Sequence, residues 1–400
     1  MTAHTEDSQS LSLEFLHTCF YTNKDKVVFD PWLLINKFPL LRKIIKRLSE
    51  EIESQVDTSE LTGICTLARS GIPLGVLLSL SLNKPLHFYF RDPLRFEDKD
   101  GHFYHLFPRI KKGGNYLLVD SHVVTLYTAS SVAQYIKSKE ANIVGLAVAF
   151  SFYDMNFSGK TKNIISPIIT LGSAAEHSKS ISKVLGNNDT DTLYNILKQK
   201  SKQQEYYPDS PFIPAMFRRI WALSWGLASI VKNSRESFRI RRLDDAFSNK
   251  LQNTFGSQES EIWSLFSYPY VMQEIGQLTN SSLAIENMDS IFAVGFIGTI
   301  VALIIAYSSD FQGSIFTTYK PIFWDELIRE QNINRVIITT GRLRTGMFIR
   351  GTYDLLKNKY NISPSSIIAL RYVPSGVLPP RNLFSHYYIR GLKDILYVLS

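Results

Sequence analysis

One stretch of the sequence, residues 114–131, places an acid and several hydroxyl residues directly after an apolar run. Residues 116–119 (Tyr-Leu-Leu-Val) are apolar in succession, which is typical of a strand buried on both faces of a parallel sheet. Asp120 follows at the carboxyl end of this strand, where open α/β sheets bind ligands. Thr128 is expected to cap the next helix, whose apolar residues recur at i, i+4. The stretch predicts a strand, a ligand-binding loop and a helix.

This stretch resembles the phosphoribosyl pyrophosphate (PRPP) motif of type I phosphoribosyltransferases. The family motif has apolar residues, two acids, two further apolar residues and then Thr-Thr-Gly-x-Thr. Asp120 matches the first acid, and Thr125 and Thr128 match threonines of the loop. The resemblance implies that the acid holds the ribose hydroxyls. It also implies that the loop holds the 5′-phosphate with backbone N–H groups and hydroxyls at a helix start.

The same stretch departs from the family pattern at three positions. Ser121 replaces the second acid, and Leu126 and Tyr127 stand where the family has glycine and a small residue. A side chain at these two positions is expected to crowd the phosphate, and the loop is expected to lose the access of glycine to positive φ. The departures put transferase activity in question more than the fold.

A second polar loop follows the strand predicted over residues 61–67. It contains Arg69, Ser70 and Gly71 and leads into an apolar helix. In the family this loop holds the pyrophosphate end of PRPP on its backbone amides, so the resemblance makes these residues ligand-binding candidates. The alternative is structural, because Gly71 and Gly75 could serve only to let the helix pack closely on the strand.

The next predicted strand, residues 85–90, ends at Arg91. The family places a basic residue there that points at the pyrophosphate, so Arg91 is its counterpart. Residues 93–113 resemble the flap that closes over such sites. His102 and His105 lie in this segment without further ligands in the sequence, so no metal site is predicted.

The order of strand, loop, helix and strands then recurs in the second half of the chain. We predict strands over residues 290–296, 314–320, 335–339 and 366–373, with a glycine turn and an apolar helix after the first. In this copy Thr340 and Gly341 occupy both acid positions. Gly71 and Asp120 are 49 residues apart, and Gly298 and Thr340 are 42 apart. The phosphate-binding candidates of this copy are Gly298, Lys320, Arg342, Arg344, Thr345 and Gly346.

Residues 291–307 form an uncharged run of 17, at the lower limit for a membrane-spanning helix. The alternative is a buried strand, a glycine turn and a buried helix. We prefer the alternative because the repeat supplies a reason for it, and we therefore expect no membrane association.

Composition places the chain among globular proteins. The 400 residues are 44% apolar and 20% charged, with a formal net charge of +8. A basic balance is compatible with nucleotides, nucleic acid or an acidic partner. Two cysteines exclude a disulfide scaffold, and the polar N-terminus has no apolar signal core, so a cytoplasmic location is expected.

We predict a flexible arm over residues 1–25, a first phosphoribosyltransferase-like domain over 26–157 and a linker or crossover over 158–205. Residues 206–400 are expected to hold a helical region and the second domain. The helical region contains tryptophans followed by basic residues, which can bind nucleic acid or form a solvated surface. The nucleic-acid candidates are Arg235, Arg239, Arg241 and Arg242.

The fold class expected from these patterns is α/β, with two phosphoribosyltransferase-like, doubly wound parallel-sheet domains and added helices. The function expected is a pseudoenzyme with degenerate PRPP sites, acting as a nucleotide-sensing or complex-forming module. Its ligand would be a nucleotide or sugar phosphate, with Mg²⁺ entering alongside PRPP. Transferase-like proteins also serve as effectors in bacterial anti-phage systems, including some retrons, which is an analogy at the level of the fold.

Two alternatives remain open. One is an active transferase or nucleotide-hydrolysing enzyme that uses the first domain, and the other is a nucleic-acid-binding regulator. The resemblance also implies that the two copies could pack as a pseudo-dimer and that a protein partner could bind. The sequence identifies no catalytic residue.

Overall fold

The computed structural model describes most of the chain outside its central segment. The described residues are 2–23, 26–67, 70–90, 105–107, 110–153, 165–185, 193, 196, 266–318, 324–331, 333–343, 347–372, 386–388 and 397–399. They fall into two compact units. Unit 1 comprises the described residues of Met1–Gln203 and Ser257–Glu274, and unit 2 those of Ile275–Ser400.

Unit 1 is built on a six-stranded sheet with helices on both of its faces. Strands β3, β4, β6, β7 and β8 are parallel, β5 is antiparallel to β4, and the order across the sheet is β5-β4-β3-β6-β7-β8. The bounds are α1 Thr2–Cys19, β1 Phe20–Asn23, β2 Lys26–Phe29, α2 Phe38–Gln55, β3 Leu61–Thr66, α3 Ile72–Leu82, β4 Leu86–Phe90, β5 His105–Phe107, β6 Asn115–Val123, α4 Tyr127–Ser138, β7 Asn142–Ser151, β8 Ile168–Thr170 and α5 Ser178–Leu185.

Neighbouring residues of β3 show the two faces of this sheet. Cys65 lies in one core cluster with Val132 and Ile136 of α4. Thr66 faces the other side, where its side chain contacts Gly75 of α3. Successive side chains of a strand point to opposite faces, so α3 and α4 cover opposite faces of the sheet.

Helix α2 carries the apolar periodicity that predicts a helix over residues 31–56. Its N-terminal side is a 3₁₀ turn, Pro31–Lys37, and the Oδ1 atom of Asp30 accepts a hydrogen bond from the backbone N–H of Trp32 at 3.0 Å. Pro31 fits the first helical position because its missing N–H would have no partner there. The helix buries Leu41, Ile44 and Leu48 on one face.

The predicted flexible arm over residues 1–25 is wrong for the residues that the structure describes. Helix α1 buries Phe15 and Cys19 completely, and β1 pairs with β2 as an antiparallel hairpin. The sequence did not indicate this helix because its buried side includes the polar residues Ser8, Ser12 and Thr18, which interrupt the apolar periodicity. Part of the predicted linker over 158–205 is also wrong, since β8 extends the sheet of unit 1.

Unit 2 contains a second six-stranded sheet, in the order β10-β9-β11-β12-β14-β13. Strands β9 to β12 are parallel, and β13 and β14 are antiparallel additions at one edge. The bounds are β9 Ser290–Val294, α7 Gly295–Tyr307, β10 Ser314–Thr317, α8 Trp324–Glu330, β11 Val336–Leu343, α9 Met347–Tyr360, β12 Ser366–Tyr372, β13 His386–Tyr388 and β14 Tyr397–Leu399. Helix α6, Pro269–Leu283, begins in unit 1 and ends in unit 2.

Helices also cover both faces of the second sheet. Ile338 of β11 lies in a core cluster with Trp324 of α8 and Leu356 of α9. The next residue, Thr339, contacts Gly298 of α7 through its backbone on the opposite face. The α/β class with two doubly wound, largely parallel sheets is therefore confirmed.

The two sheets share the order of their parallel strands. When the parallel strands are numbered along the chain, both sheets have the spatial order 2-1-3-4. This order is β4-β3-β6-β7 in unit 1 and β10-β9-β11-β12 in unit 2. The preference for a strand and a helix over residues 291–307 is also correct, since they form β9 and α7. Among the described helices, none has the length and apolar character needed to cross a membrane.

Candidate functional site

The loop after β3 meets β6 at Gly71. A Cβ atom added at Gly71 would lie 2.6 Å from the carbonyl oxygens of Leu67 and Val119 and 3.0 Å from the Cα atom of Asp120. No side chain fits at these distances, so glycine is required for the contact. Gly71 therefore lets α3 approach β6 closely and holds Ser70 next to Asp120.

Asp120 is half-buried and lies within β6, which extends to Val123, beyond the apolar run. Its Oδ1 atom accepts a hydrogen bond from the Ser70 hydroxyl at 2.9 Å and from the Ser121 backbone N–H at 2.7 Å. Hydrogen bonds to an ionised acceptor are the stronger ones. The carboxylate is therefore held in one orientation by the loop and by its own strand.

Ser121, identified in the sequence as the replacement of the second acid, and His122, which was not recognised there, extend this arrangement. Ser121 is fully buried, and its hydroxyl lies 2.9 Å from Nδ1 of His122. The His122 ring packs edge-on against Phe29 of β2 and Phe152, with centroids 4.9 and 6.2 Å away. The alternation of side chains in a strand puts His122 on the same side as Asp120, which is the signal that could have found it. His122 positions Ser121 and connects the site to the N-terminal hairpin.

The loop between β6 and α4 keeps a left-handed backbone without glycine. Leu126 has φ 56° and ψ 2°, and its side chain is only 2% exposed. The expectation that the loop loses positive φ is therefore wrong. Left-handed backbone costs a non-glycine residue roughly 1–2 kcal/mol, and burial of a leucine side chain contributes about as much in the opposite direction.

The predicted cap at Thr128 is also wrong. Helix α4 begins at Tyr127, so the N-cap residue is Leu126, and no side chain caps the helix. Thr128 lies in the first turn, half-buried like Thr125. The side chain of Tyr127 is 61% exposed, and the ring points away from the core.

Ser130 supplies a buried hydroxyl near this loop. It is 5% exposed, and its Oγ atom has no hydrogen-bond partner among the described residues. Helical side chains tilt towards the helix N-terminus, so this hydroxyl is directed back towards the first turn of α4. A buried hydroxyl in this position has the capacity to bind a further polar group.

The corresponding place in unit 2 has the same backbone contact. A Cβ atom added at Gly298 would lie 2.7 Å from the carbonyl oxygen of Thr339 and 3.1 Å from the Cα atom of Thr340. Gly298 thus stands to Thr339 and Thr340 as Gly71 stands to Val119 and Asp120. Thr340, at the position of the acid, is buried at 5% exposure.

Threonine hydroxyls at this end of the second sheet are paired with one another and with the backbone. Thr339 donates to the Gly298 carbonyl at 2.9 Å, and the hydroxyls of Thr299 and Thr317 lie 2.7 Å apart. The N–H group of Gly295 donates to the Thr318 hydroxyl at 2.8 Å. These contacts tie α7 to the strand ends, and no carboxylate occupies the position.

Two buried side chains in the core of unit 1 have raised pKa values because of their burial. Burial raises the pKa of the Cys65 thiol, so this cysteine does not provide a thiolate. Burial also raises the pKa of Tyr116, although the Lys111 N–H group that donates to its hydroxyl acts in the opposite direction. Within the described part of the chain, no group of His, Cys, Asp and Glu is arranged to hold a metal ion.

Several predicted residues lie outside the described residues. Arg342 is within β11, where its backbone pairs with Arg371 of β12. The candidates outside the described residues are Arg69, Arg91, Lys320, Arg344, Thr345, Gly346, Arg235, Arg239, Arg241 and Arg242. Of the first-copy candidates, the structure brings Ser70, Gly71 and Asp120 together, and Thr125 and Thr128 lie on the loop and helix that follow β6.

Neither protein-family models nor curated proteins give a match to this chain. Solved structures that are similar to part of it include an adenine phosphoribosyltransferase from Leishmania donovani, at 17% identity and a TM-score of 0.33, covering 42% of this chain and 82% of that one. An orotate phosphoribosyltransferase from Aeropyrum pernix is 16% identical over 46% of this chain and 99% of that one, with a TM-score of 0.32.

A third similar structure is an adenine phosphoribosyltransferase from Trypanosoma brucei in complex with AMP, pyrophosphate and ribose-5-phosphate. It is 15% identical over 41% of this chain and 80% of that one, with a TM-score of 0.32. At this level of similarity, we draw no conclusion about ligand or activity from these structures.

Proposed function

We propose that unit 1 is a type I phosphoribosyltransferase-like domain that binds a ribose 5-phosphate ligand, either PRPP or a nucleotide. Asp120 would hold the ribose diol, the loop at Ser70 and Gly71 would hold a pyrophosphate, and the loop at Thr125 and Thr128 would hold the 5′-phosphate. The observation that carries the proposal is the hydrogen bond between Ser70 and Asp120. It joins two motifs 50 residues apart at the carboxyl end of parallel strands, where such sheets bind ligands.

Further support comes from the loop before α4. Leu126 adopts the left-handed conformation that the motif needs. The loop therefore keeps the backbone of an anion site, in which the N–H groups at the start of α4 are the donors. The buried hydroxyl of Ser130 lies in the same turn. Mg²⁺ would enter with the pyrophosphate of PRPP. Among the described residues, Asp120 supplies the carboxylate of this site.

We infer that the chain works as a nucleotide-sensing or complex-forming module rather than as a conventional transferase. Ser121 in place of the second acid leaves one carboxylate for the ribose, and Tyr127 adds an exposed ring beside the phosphate loop. Oxocarbenium-like transition states need stabilisation of developing positive charge, and removal of one acid weakens it. A regulatory or effector role, including one in anti-phage defence, is consistent with this arrangement.

Unit 2 would be a second, degenerate copy of the same domain. It has the same order of parallel strands and the same contact between a glycine at or near a helix start and the third strand. With Thr340 at the acid position and the surrounding threonines paired, the described residues at this position offer no carboxylate to a ribose diol. Its role in the proposal is structural or protein-binding.

The enzyme alternative rests on the retention of Asp120 and of the left-handed backbone at Leu126. To separate the two, the protein is incubated with PRPP, Mg²⁺ and a mixture of purine and pyrimidine bases, and released pyrophosphate is measured. Thermal unfolding is followed in parallel with PRPP and Mg²⁺. The proposal predicts that PRPP raises the unfolding temperature of the wild type, with no pyrophosphate release above that of a protein-free control.

Matched variants locate the effect. Asp120→Asn should remove the stabilisation by PRPP, and Thr340→Val, at the equivalent position of unit 2, should retain it. Steady pyrophosphate release that is lost in Asp120→Asn would establish the enzyme alternative. Absence of any thermal shift in the wild type would contradict the proposal itself.

A further inference from the structure

Helix α1 is linked to the rest of unit 1 by a buried polar contact in its middle. The Ser12 hydroxyl lies 2.6 Å from Nε2 of His177, a residue between β8 and α5, and Ser12 is fully buried. A Cβ atom added at Gly172 would collide with this hydroxyl and lie 3.1 Å from Nε2 of His177. The three residues are therefore tightly packed, and the contact ties α1 to the segment after β8.

The His177 ring also contacts the aromatic core beneath α1. Its centroid is 5.8 Å from that of Phe150 in β7, on which Phe15 of α1 stacks at 6.3 Å. Phe15 also meets Phe29 edge-on at 6.2 Å, and Phe29 packs against His122 beside the candidate site. The position of α1 therefore bears on the part of the core that lies next to this site.

Protonation of His177 would change this contact. A neutral imidazole that carries its hydrogen on Nδ1 accepts the Ser12 hydrogen at Nε2, whereas both nitrogens of an imidazolium are donors. The Ser12 hydroxyl would then donate to the Gln9 carbonyl oxygen alone, which is 2.9 Å away in the same helix. The positive charge would lie in the packed layer between α1 and the sheet, where a charged group is costly.

The surroundings of His177 offer this charge little compensation. From α1 and β7, the described partners of the ring are the Ser12 hydroxyl and the Phe150 ring, neither of which is charged. Among the described residues, the charged group that acts on the ring is Glu176, whose exposed carboxylate also accepts from the Ser173 N–H. Burial lowers the pKa of His177, and the charge of Glu176 acts in the opposite direction.

We propose that the Ser12–His177 contact makes the docking of α1 sensitive to pH, so that the fraction of chains with α1 released from the sheet rises in mild acid. A group whose pKa is lower in the docked state takes up a proton on release. Release therefore becomes more favourable as pH falls below the ordinary histidine value of about 6.5. Above this value the ring is neutral in both states, and the contact contributes fully to docking. This behaviour does not depend on the proposed function.

The two cysteines of the chain can report on the release of α1. Cys19, the last residue of α1, and Cys65, in β3, are both fully buried. A dithiodipyridine reagent labels exposed thiols in mild acid as well as at neutral pH, and mass spectrometry assigns the labelled cysteine. Each rate is divided by that of a short cysteine peptide at the same pH. The Cys19 rate then measures opening at α1, and the Cys65 rate measures opening of the sheet.

The wild type should show a local response to pH. Between about pH 6.5 and pH 5.5, its corrected Cys19 rate should rise by about twofold to tenfold, since one proton gives at most about tenfold per pH unit. The Cys65 rate should stay unchanged. His177→Gln, which keeps a neutral acceptor for Ser12, should abolish the rise. His17→Gln is the matched control, because His17 is an exposed histidine of the same helix, and this variant should keep the rise.

A second variant tests the contact at neutral pH, where the histidine is not charged. Ser12→Ala should label Cys19 about fivefold faster than the wild type, the size of one hydrogen bond. Thermal unfolding at neutral pH verifies that each variant is folded. A Cys19 rate in Ser12→Ala equal to that of the wild type would show that the contact does not hold α1, and the inference would be wrong.

Three results of the pH series would also overturn the inference. A rise that survives in His177→Gln would assign the pH dependence to another group. Equal rises at Cys19 and Cys65 would show that unit 1 opens as a whole and that α1 is not released separately. A wild-type Cys19 rate that does not change with pH would show that docking is insensitive to the charge of His177.

Discussion

In unit 1 and in unit 2, a glycine at or near the start of a helix contacts the same strand of the same strand order, yet the strand residue beside it differs. Gly71 contacts the backbone at Val119 and Asp120, and Gly298 contacts it at Thr339 and Thr340. In both units the glycine allows the helix to approach the third strand. In either unit the glycine is therefore evidence of close packing between helix and strand. The acid beside it in unit 1, Asp120, distinguishes a candidate ligand site from a packed strand end.

The helices next to or containing these glycines also begin differently. In unit 1, Ser70 and Gly71 form a turn before α3, which begins at Ile72. In unit 2, α7 begins at Gly295, directly after β9, where a φ of 70° suits glycine. Unit 1 thus has a polar turn at the strand end, whereas unit 2 has the first turn of a helix whose N–H group is bonded to Thr318.

The largest effect is expected at Leu126, which retains the loop backbone in unit 1 without glycine. Leu126→Ala should lower the free energy of unfolding by about 3 kcal/mol, because it removes a buried side chain and leaves the left-handed strain. Leu126→Gly should cost about 1 kcal/mol less, since glycine adopts positive φ freely. Urea denaturation measures both. A larger loss for glycine than for alanine would show that the backbone conformation carries no strain.

Substitution of either glycine should lower the free energy of unfolding by a similar amount, but only substitution of Gly71 should weaken PRPP binding. Gly71→Ala and Gly298→Ala each introduce a Cβ atom within 2.7 Å of a backbone carbonyl oxygen, and each should cost about 2 kcal/mol. PRPP binding should weaken in Gly71→Ala alone. Both effects are read from unfolding curves with and without ligand.

Gly351→Ala is the control for these substitutions. Gly351 is an exposed residue of α9 with nothing near the added Cβ, so alanine should stabilise the helix by up to about 1 kcal/mol. Loss of PRPP binding in Gly298→Ala as large as that in Gly71→Ala would remove the distinction between the units.

The stability of the two units should also depend differently on acidic pH. The central strand of unit 1 begins with a neutral contact, in which the Asn115 N–H donates to the Thr62 hydroxyl, whereas Asp289 accepts from the N–H groups of Asn334 and Arg335 in unit 2. Burial alone would raise the pKa of Asp289, but the hydrogen bonds from Arg335 and Asn334 together outweigh it and lower the pKa.

A lowered folded-state pKa stabilises the protein above the unfolded value, and this contribution is lost as pH falls through the folded value. Between about pH 5 and pH 3, the unfolding temperature of the wild type should therefore fall more steeply than that of Asp289→Asn. The difference should be less than about 1 kcal/mol at neutral pH. Parallel pH profiles for the two proteins would show that Asp289 contributes nothing through its charge.

The smallest change in stability is expected at Tyr127. Its side chain is 61% exposed, so Tyr127→Ala should alter the free energy of unfolding by less than about 0.5 kcal/mol. If the ring crowds the phosphate, this variant should bind PRPP more tightly than the wild type in calorimetric titration. Weaker binding would instead make the ring a ligand contact.

The parallel strands β3, β4, β6, β7 and β9 to β12 were predictable because each contains a short apolar run, and their repetition identified both sheets. The short strands β1, β2, β5, β8, β13 and β14 were not predicted. The residues that join the motifs were predictable in part: Ser70 and Asp120 could be named, but their hydrogen bond depends on how α3 packs on β6. Helix α1 was missed because its buried side includes the polar Ser8, Ser12 and Thr18 beside Phe15 and Cys19, so the apolar periodicity is interrupted. Leu126 was misjudged because sequence shows the intrinsic cost of left-handed backbone and not the burial that offsets it.

The central claim is that unit 1 holds a sugar phosphate at Asp120 and that unit 2 holds none. Calorimetric titration of the full chain with PRPP and Mg²⁺ tests it most directly. The account predicts binding of one ligand per chain, loss of binding in Asp120→Asn and unchanged binding in Thr340→Val. Two ligands per chain, or binding that survives in Asp120→Asn, would contradict it.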